Sequence, residues 1–327
     1  QTCALPILIM ENKYLVIGTG ALGSVFGGLL QNTGLPVTYI GKGDHFDAVK
    51  RNGIVIDGIW GDYKINAPEA YYDSEIQSIQ EKYDTALICV KSQHTLEAAA
   101  IAQKLLKPDG ICISIQNGLG NVENIAEVVG EERTVGGRVI FGVEINKPGI
   151  ATVSVYADKV LLGEPYQPVN RELLEKTKQD LNHAGIPTDI TDNILGYLWA
   201  KSLYNCALNP LSAILNVSYG ELANDENTVQ MMKEIIREIY LVAKAKKIVM
   251  LKADAEEYIE NFFSTLIPPT RGHHSSMYQD LRAGRRTEID AMNKMIVKYA
   301  EELQIPVPVN YFVSQLIRFK ENQLSAG

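Results

Sequence analysis

The chain has 327 residues, as a length prior enough for two domains of ordinary size. Hydrophobic residues make up 46% and charged residues 21%, values of a soluble globular protein able to bury a large core. The formal net charge of −8, with no long basic stripe, argues against nucleic acid or an anionic membrane as the main partner.

Residues 1–10 are apolar but short, and no basic residue precedes them as a signal peptide would require. Met10 before Glu11-Asn12-Lys13 reads as a natural start, and residues 1–9 as a non-native or unstructured extension. From Lys13 onward, strand-like apolar runs alternate with helical patterns. Strands are expected over 14–17, 37–40, 86–90, 111–115 and 135–140, with a helix opening near Ala21. Continuous apolar runs are the mark of parallel strands buried on both faces, so the alternation predicts a doubly wound sheet. Residues 152–156 and 159–162 flank Ala157-Asp158 and read as an antiparallel hairpin. From about Asp192 strand-like runs vanish. Amphipathic stretches follow over 193–215, 228–245, 253–266, 287–303 and 310–321, punctuated by Pro268-Pro269 and Pro306/Pro308.

Cys3, Cys89, Cys112 and Cys206 include no C-x-x-C pair, and two lie in strand-like runs. That usage fits buried core residues in a reducing cytoplasm better than disulfides or zinc. No apolar stretch reaches the length of a membrane span.

Gly18-Thr19-Gly20-Ala21-Leu22-Gly23 follows a strand and opens a helix. Gly18 would allow the tight turn, Gly20 the approach of a pyrophosphate, and Gly23 close helix–sheet packing. The orphan N–H groups of the helix start would face the phosphates. Strand, loop, helix and second strand together predict a Rossmann-type dinucleotide site. Past the second strand the first polar side chain is Lys42, which favours the 2′-phosphate of NADP(H). The other reading leaves Lys42 in solvent and gives the ribose to Asp44.

Ligands of open α/β sheets lie beyond the carboxyl ends of strands. Lys91 and Asn117 each follow such an end and fall where a nicotinamide half would lie, with Gly118 allowing a ligand close to the backbone. In the second half, Lys201, Asn205 and Asn209 drift by only about 40° per step and share one helix face. Their neighbours are apolar, so they make a polar pocket wall or a partly exposed polar stripe. Pro210 predicts a kink or break near Asn209. Ser276 reads as an N-cap with Gln279 reaching back, and Thr287-Glu288-Ile289-Asp290 as the start of the next helix. His273 and His274 lack metal-ligand spacing around them.

In their order and spacing, these pieces resemble the ketopantoate reductase family, from about Lys13 to Phe319. The resemblance is carried by the glycine loop, Val90-Lys91, Gln116-Asn117-Gly118, Lys201-x3-Asn205-x3-Asn209-Pro210, Ser275-Ser276-Met277-x-Gln279-Asp280 and Thr287-Glu288-Ile289-Asp290. It implies an α/β Rossmann-type NADP-binding domain over 11–190, followed by an all-α substrate and catalytic domain over 191–327. It implies reduction of a 2-oxo acid to a 2-hydroxy acid by NADPH, in a cleft between the two. Lys201 would be the general acid, with Glu288 the second catalytic residue. Gly18, Thr19, Gly20, Ala21, Leu22, Gly23, Lys42, Lys91, Asn117, Gly142 and Glu288 would contact the cofactor. Asn117, Lys201, Asn205, Asn209 and Ser276 would hold the substrate. The cofactor supplies the reducing equivalents, so no metal is expected.

Two positions depart from the family pattern. Lys42 stands where members usually carry arginine, keeping the charge but losing the bidentate fork. Tyr219 stands where some members carry a further substrate-binding asparagine. The expected activity is reduction of 2-dehydropantoate (ketopantoate) to pantoate for pantothenate and coenzyme A synthesis, in the cytoplasm and in a possible homodimer. The alternatives are a reductase of another branched 2-oxo acid and an NADP-binding regulator without catalysis.

Overall fold

A computed structural model describes residues 11–66 and 68–324, so the reading of 1–9 as an extension lies outside the described residues. The chain divides into two compact units. The first runs through Val90 and takes in His94–Ile115 and Asn124–Thr191; the second holds Lys91–Gln93, Gln116–Glu123 and the chain from Asp192 onward.

The first unit is built on one sheet with ten strands among the described residues. In chain order these are β1 (Tyr14–Ile17), β2 (Val37–Gly41), β3 (Ile54–Gly58), β4 (Tyr63–Ile65), β5 (Glu69–Tyr72), β6 (Tyr83–Ile88), β7 (Leu106–Ser114), β8 (Thr134–Lys147), β9 (Ile150–Gly163) and β10 (Thr188–Ile190). The order β8-β7-β6-β1-β2-β5 is parallel throughout. β1 thus lies between β6 and β2, where the winding reverses. Tyr14 and Val16 enter the apolar cluster on one face, Leu15 and Ile17 that on the other. This two-sided burial is why the sequence of β1 is apolar without interruption. The helices of this unit are α1 (Ala21–Asn32), α2 (Asp44–Asn52), α3 (Thr95–Leu105), α4 (Asn121–Val129, whose first residues belong to the second unit) and α5 (Arg171–His183).

The hairpin expected within 152–162 is corrected. β9 runs unbroken through Ala157-Asp158 and pairs antiparallel with β8, the reversal falling at Pro148-Gly149, where Gly149 has φ +86°. Asp158 is an acceptor for Arg138 Nη2 across the ladder at 2.8 Å, which keeps the strand paired where a turn was expected. His45 receives the Gly149 N–H on Nδ1 at 3.0 Å and faces Ser24 Oγ with Nε2 at 2.9 Å. That pairing places the ring proton on Nε2. Burial holds the His45 pKa below its ordinary value, so the neutral ring joins α1 to the turn.

The second unit gathers α6 (Ile194–Leu215), α7 (Tyr219–Asn224), α8 (Glu226–Ala245), α9 (Ala255–Asn261), α10 (Ser276–Arg282), α11 (Asn293–Leu303) and α12 (Pro308–Leu324). α6 is its axis, packed by α7, α8, α10 and α12. Its burial on most sides explains the near-continuous apolar sequence from Leu203 to Leu215.

Of the kink or break expected near Asn209, the break does not occur; α6 continues through Pro210 to Leu215. Pro210 offers no N–H to the Cys206 carbonyl, and Asn293 Nδ2 supplies one instead at 3.1 Å. The same amide nitrogen reaches Asn310 Oδ1 at 3.0 Å, and Asn310 is held by the Glu238 carboxylate. Asn293→Ala leaves two buried acceptors unpaired, so it is expected to cost about 1–3 kcal/mol. Urea unfolding would read this as a lowered midpoint at unchanged slope, and an unmoved midpoint would show that the proline is relieved some other way.

Two helix starts are also corrected. Ser275, not Ser276, caps α10, its Oγ accepting the Tyr278 N–H at 3.0 Å. Residues 287–292 do not open α11 but form a tight turn over Ile289–Ala291, because Thr287 is drawn to a side chain of α12.

Candidate active site

Three glycines of the loop after β1 serve three different purposes. Gly18 has φ +96°, and a Cβ there would lie 2.6 Å from both Val90 N and Val90 Cγ1. Its own N–H donates to Ile40 O at 2.9 Å, locking the turn to β2. A Cβ on Gly23 would stand 2.2 Å from Gly18 O, so α1 could not pack so closely with any other residue. At Gly20, by contrast, an added Cβ meets nothing within 4 Å. No described residue crowds that third glycine, whereas a pyrophosphate approaching the backbone would require it. Thr19 is buried and donates through Oγ1 to Ile40 O at 3.1 Å, while Ala21, Leu22 and Gly23 form a first turn with no side-chain cap and no acidic residue. These residues fit a dinucleotide phosphate.

Lys42 follows β2 with its side chain 64% exposed, and its ammonium lies 3.4 Å from the Asp73 carboxylate at the end of β5. Asp44 sits in the first turn of α2 and is exposed. The cation expected to meet a 2′-phosphate is therefore partly neutralised by a neighbouring acid. Gly142 lies in β8, and a Cβ there would stand 3.3 Å from Ser154 Oγ and 3.4 Å from Val155 Cβ of β9. Phe141 before it packs on Phe26 of α1 with ring centroids 5.7 Å apart.

The remaining predicted residues belong to the second unit, where Lys91, Asn117, Lys201 and Glu288 come together. Lys201 projects from α6, and its Nζ donates to Asn117 Oδ1 at 2.6 Å. The Asn117 side chain also hydrogen-bonds the Glu288 carboxylate, so one amide joins an ammonium to an acid. The Asn117 carbonyl is pinned by Ser92 Oγ at 3.2 Å and Asn121 Nδ2 at 2.8 Å. Burial pushes the Glu288 carboxyl above its usual range; Lys91, the Asn117 hydrogen bond and Lys201 pull it back, and Asp280 adds to the rise. Lys91 Nζ forms an ion pair with Asp280 at 3.0 Å and donates to Arg286 O at 3.1 Å.

In the sequence Asp280 stands out only as the last residue of a motif. It proves to be the acid that holds Lys91, and its other oxygen accepts Arg285 Nε at 2.8 Å. A carboxylate at the end of a short helix was the only signal for it. Gly118 is a second correction. Its φ is +85°, but the group brought close to it is protein: a Cβ there would lie 2.4 Å from Ala291 O, which accepts the Leu119 N–H at 2.7 Å.

The three polar residues of α6 part company. Asn205 is half-buried, and its amide makes no hydrogen bond among the described residues. Asn209 is only 3% exposed; its Oδ1 accepts the Tyr219 hydroxyl at 2.8 Å and its Nδ2 faces Met292 Sδ at 3.9 Å. The tyrosine that departs from the family pattern thus reaches the asparagine ten residues before it. Ser276 is exposed on the first turn of α10.

Comparison with known proteins gives two family models that together span most of the chain. Ketopantoate reductase PanE/ApbA matches residues 14–165, and Ketopantoate reductase PanE/ApbA C terminal matches 193–321. The chain belongs to the ketopantoate reductase family. A 2-dehydropantoate 2-reductase of Aquifex aeolicus is 33% identical over 312 residues, covering 95% of this chain and 98% of that relative. Among solved structures, a PanE/ApbA family ketopantoate reductase from Ralstonia eutropha is 28% identical with a TM-score of 0.81, over 95% of this chain and 99% of that one. A ternary structure of D-mandelate dehydrogenase with NADH and anilino(oxo)acetate is 26% identical with a TM-score of 0.83, again over 95% and 99%. The family therefore joins an α/β Rossmann-type unit to an all-α unit, as the sequence predicts.

Proposed function

We propose that this protein is an NADPH-dependent oxidoreductase that reduces ketopantoate to pantoate, serving pantothenate and coenzyme A synthesis. The observation that carries the reading is the Lys201 ammonium 2.6 Å from Asn117 Oδ1, on an amide that also binds Glu288. When bound, the nicotinamide supplies a hydride to the substrate carbonyl carbon. Lys201 stabilises the charge that grows on the ketone oxygen and gives it a proton, leaving a hydroxyl. Asn117 aims the ammonium, and Glu288 favours its charged form. Asn205 and Ser276 offer neutral hydrogen bonds to the substrate. Asn209 takes part with one lone pair of its oxygen engaged by Tyr219 and its amide nitrogen turned to Met292. Gly18–Gly23 would hold the pyrophosphate and Lys42 the 2′-phosphate, and Lys91, Gly142 and Glu288 would be further cofactor contacts.

A cytoplasmic setting is supported by free thiols at Cys89, Cys112 and Cys206, with burial pushing the first two up to about 12. Among the described residues no helix is long and apolar enough to cross a membrane. For the homodimer, exposed Phe312, Leu316 and Phe319 form a stripe along α12 able to face a second copy.

Tyr219 favours a second reading, in which the same chemistry acts on a different branched 2-oxo acid. NADPH oxidation measured with ketopantoate and with related 2-oxo acids separates the two; turnover confined to another acid would replace the substrate. No turnover with any would leave the non-catalytic regulator. Because Asp73 competes for Lys42, NADPH is expected to bind more tightly than NADH by about tenfold or less. Parallel fluorescence titrations check this, and equal affinities would remove Lys42 as the phosphate ligand.

A further inference from the structure

Glu288 stands in an irregular segment, residues 287–292, and something must fix its course. On one side Leu119 N holds Ala291 O. On the other, α12 supplies a buried carboxylate that no catalytic role has claimed. Glu321 is 3% exposed; its Oε1 accepts both the backbone N–H and the hydroxyl of Thr287, each at 2.7 Å. Its Oε2 accepts Arg318 Nη1 at 2.6 Å, and Arg318 also pairs with Asp290. The residue before Glu288 and the residue two after it are therefore tied to one turn of α12.

The choice of residue type is informative. A buried carboxylate is costly unless both oxygens are hydrogen-bonded, and Glu321 has three donors shared over its two oxygens. Thr287 Oγ1, having donated to Glu321, accepts the Ile289 N–H at 3.2 Å and so turns the chain immediately after Glu288. A glutamine would bring an N–H₂ against either Thr287 or Arg318. The geometry is that of an anchor for the segment rather than of a group facing a reactant.

We infer that Glu321 is a positioning residue, acting through Thr287 and Arg318 to hold Glu288 against Asn117 and so to set the aim of Lys201. The inference rests on the reading of Lys201, Asn117 and Glu288 as the reducing centre.

The test uses the full chain carrying Glu321→Gln, with Thr287→Val as a milder second variant should the first fold poorly. Hydrogen exchange of the apo protein is expected to quicken in the peptide spanning 286–291 and to stay unchanged elsewhere in the second unit. With ketopantoate, kcat is expected to fall about ten- to a hundredfold, with a smaller rise in KM for NADPH, which Glu288 also contacts in the proposed site. In a Glu288→Gln background, Glu321→Gln is expected to add nothing further. Unchanged exchange, or losses that multiply in the double variant, would overturn the inference. If the parent protein reduces no 2-oxo acid, the proposed function fails on its own, and the exchange result still decides whether Glu321 anchors the segment.

Discussion

Lys201→Ala is expected to lower turnover of the 2-oxo acid by about 10²–10⁴-fold while leaving NADPH affinity nearly unchanged. The size follows from the two tasks the ammonium performs, which no neighbour can assume. Lys91 is committed to Asp280 and to the Arg286 carbonyl. Asn117 accepts the Lys201 proton donor at 2.6 Å and would be left aiming nothing. NADPH affinity is spared because the glycine loop and Lys42 belong to the other unit. Lys201→Arg keeps the charge but holds its proton too firmly to give it up, so it is expected to recover only part of the loss. Steady-state kinetics paired with nucleotide titration reads both quantities; wild-type turnover in Lys201→Ala would end the assignment of the proton donor.

The glycine loop yields the second large effect, and it is a contrast rather than a single loss. Gly18→Ala and Gly23→Ala are expected to destabilise the apo protein by about 2–4 kcal/mol. One forces a side chain into positive φ against Val90, and the other drives a methyl into the Gly18 carbonyl. Gly20→Ala meets open space and is expected to leave apo stability unchanged, while weakening NADPH by about tenfold or more, because the methyl would stand where the pyrophosphate is proposed to approach. Thermal unfolding with and without NADPH separates the two classes. If Gly20→Ala bound NADPH normally, the phosphate would have to lie elsewhere.

What the sequence reveals here depends on range. β1, the loop and α1 form one contiguous signal, so even the separate duties of Gly18 and Gly23 are legible in the residue order alone. The helix that carries Lys201, Asn205 and Asn209 is legible for the same reason, since its pattern is local. The failures come where distant segments decide. Asp280 is 189 residues from Lys91, and Glu321 is 34 from Thr287, so neither pairing leaves a local trace. Pro210 reads as a kink or break because the group that answers the freed carbonyl, Asn293, lies 83 residues downstream. Gly118 is recognisable as a special backbone position, but whether ligand or protein comes close to it is a tertiary fact. The β9 error has another source: Ala157-Asp158 has turn-like composition, yet the ladder to β8 outweighs it.

The short stretches Lys91–Gln93 and Gln116–Glu123 follow strands of the sheet but are counted with the helical unit. The proposed chemistry is thus not a portable module at the end of the chain. A chimaera grafting residues 192–327 onto a foreign nucleotide-binding scaffold would carry Lys201, Asp280 and Glu288 but leave behind Asn117 and Lys91. Successful recombination would have to exchange three separate segments at once.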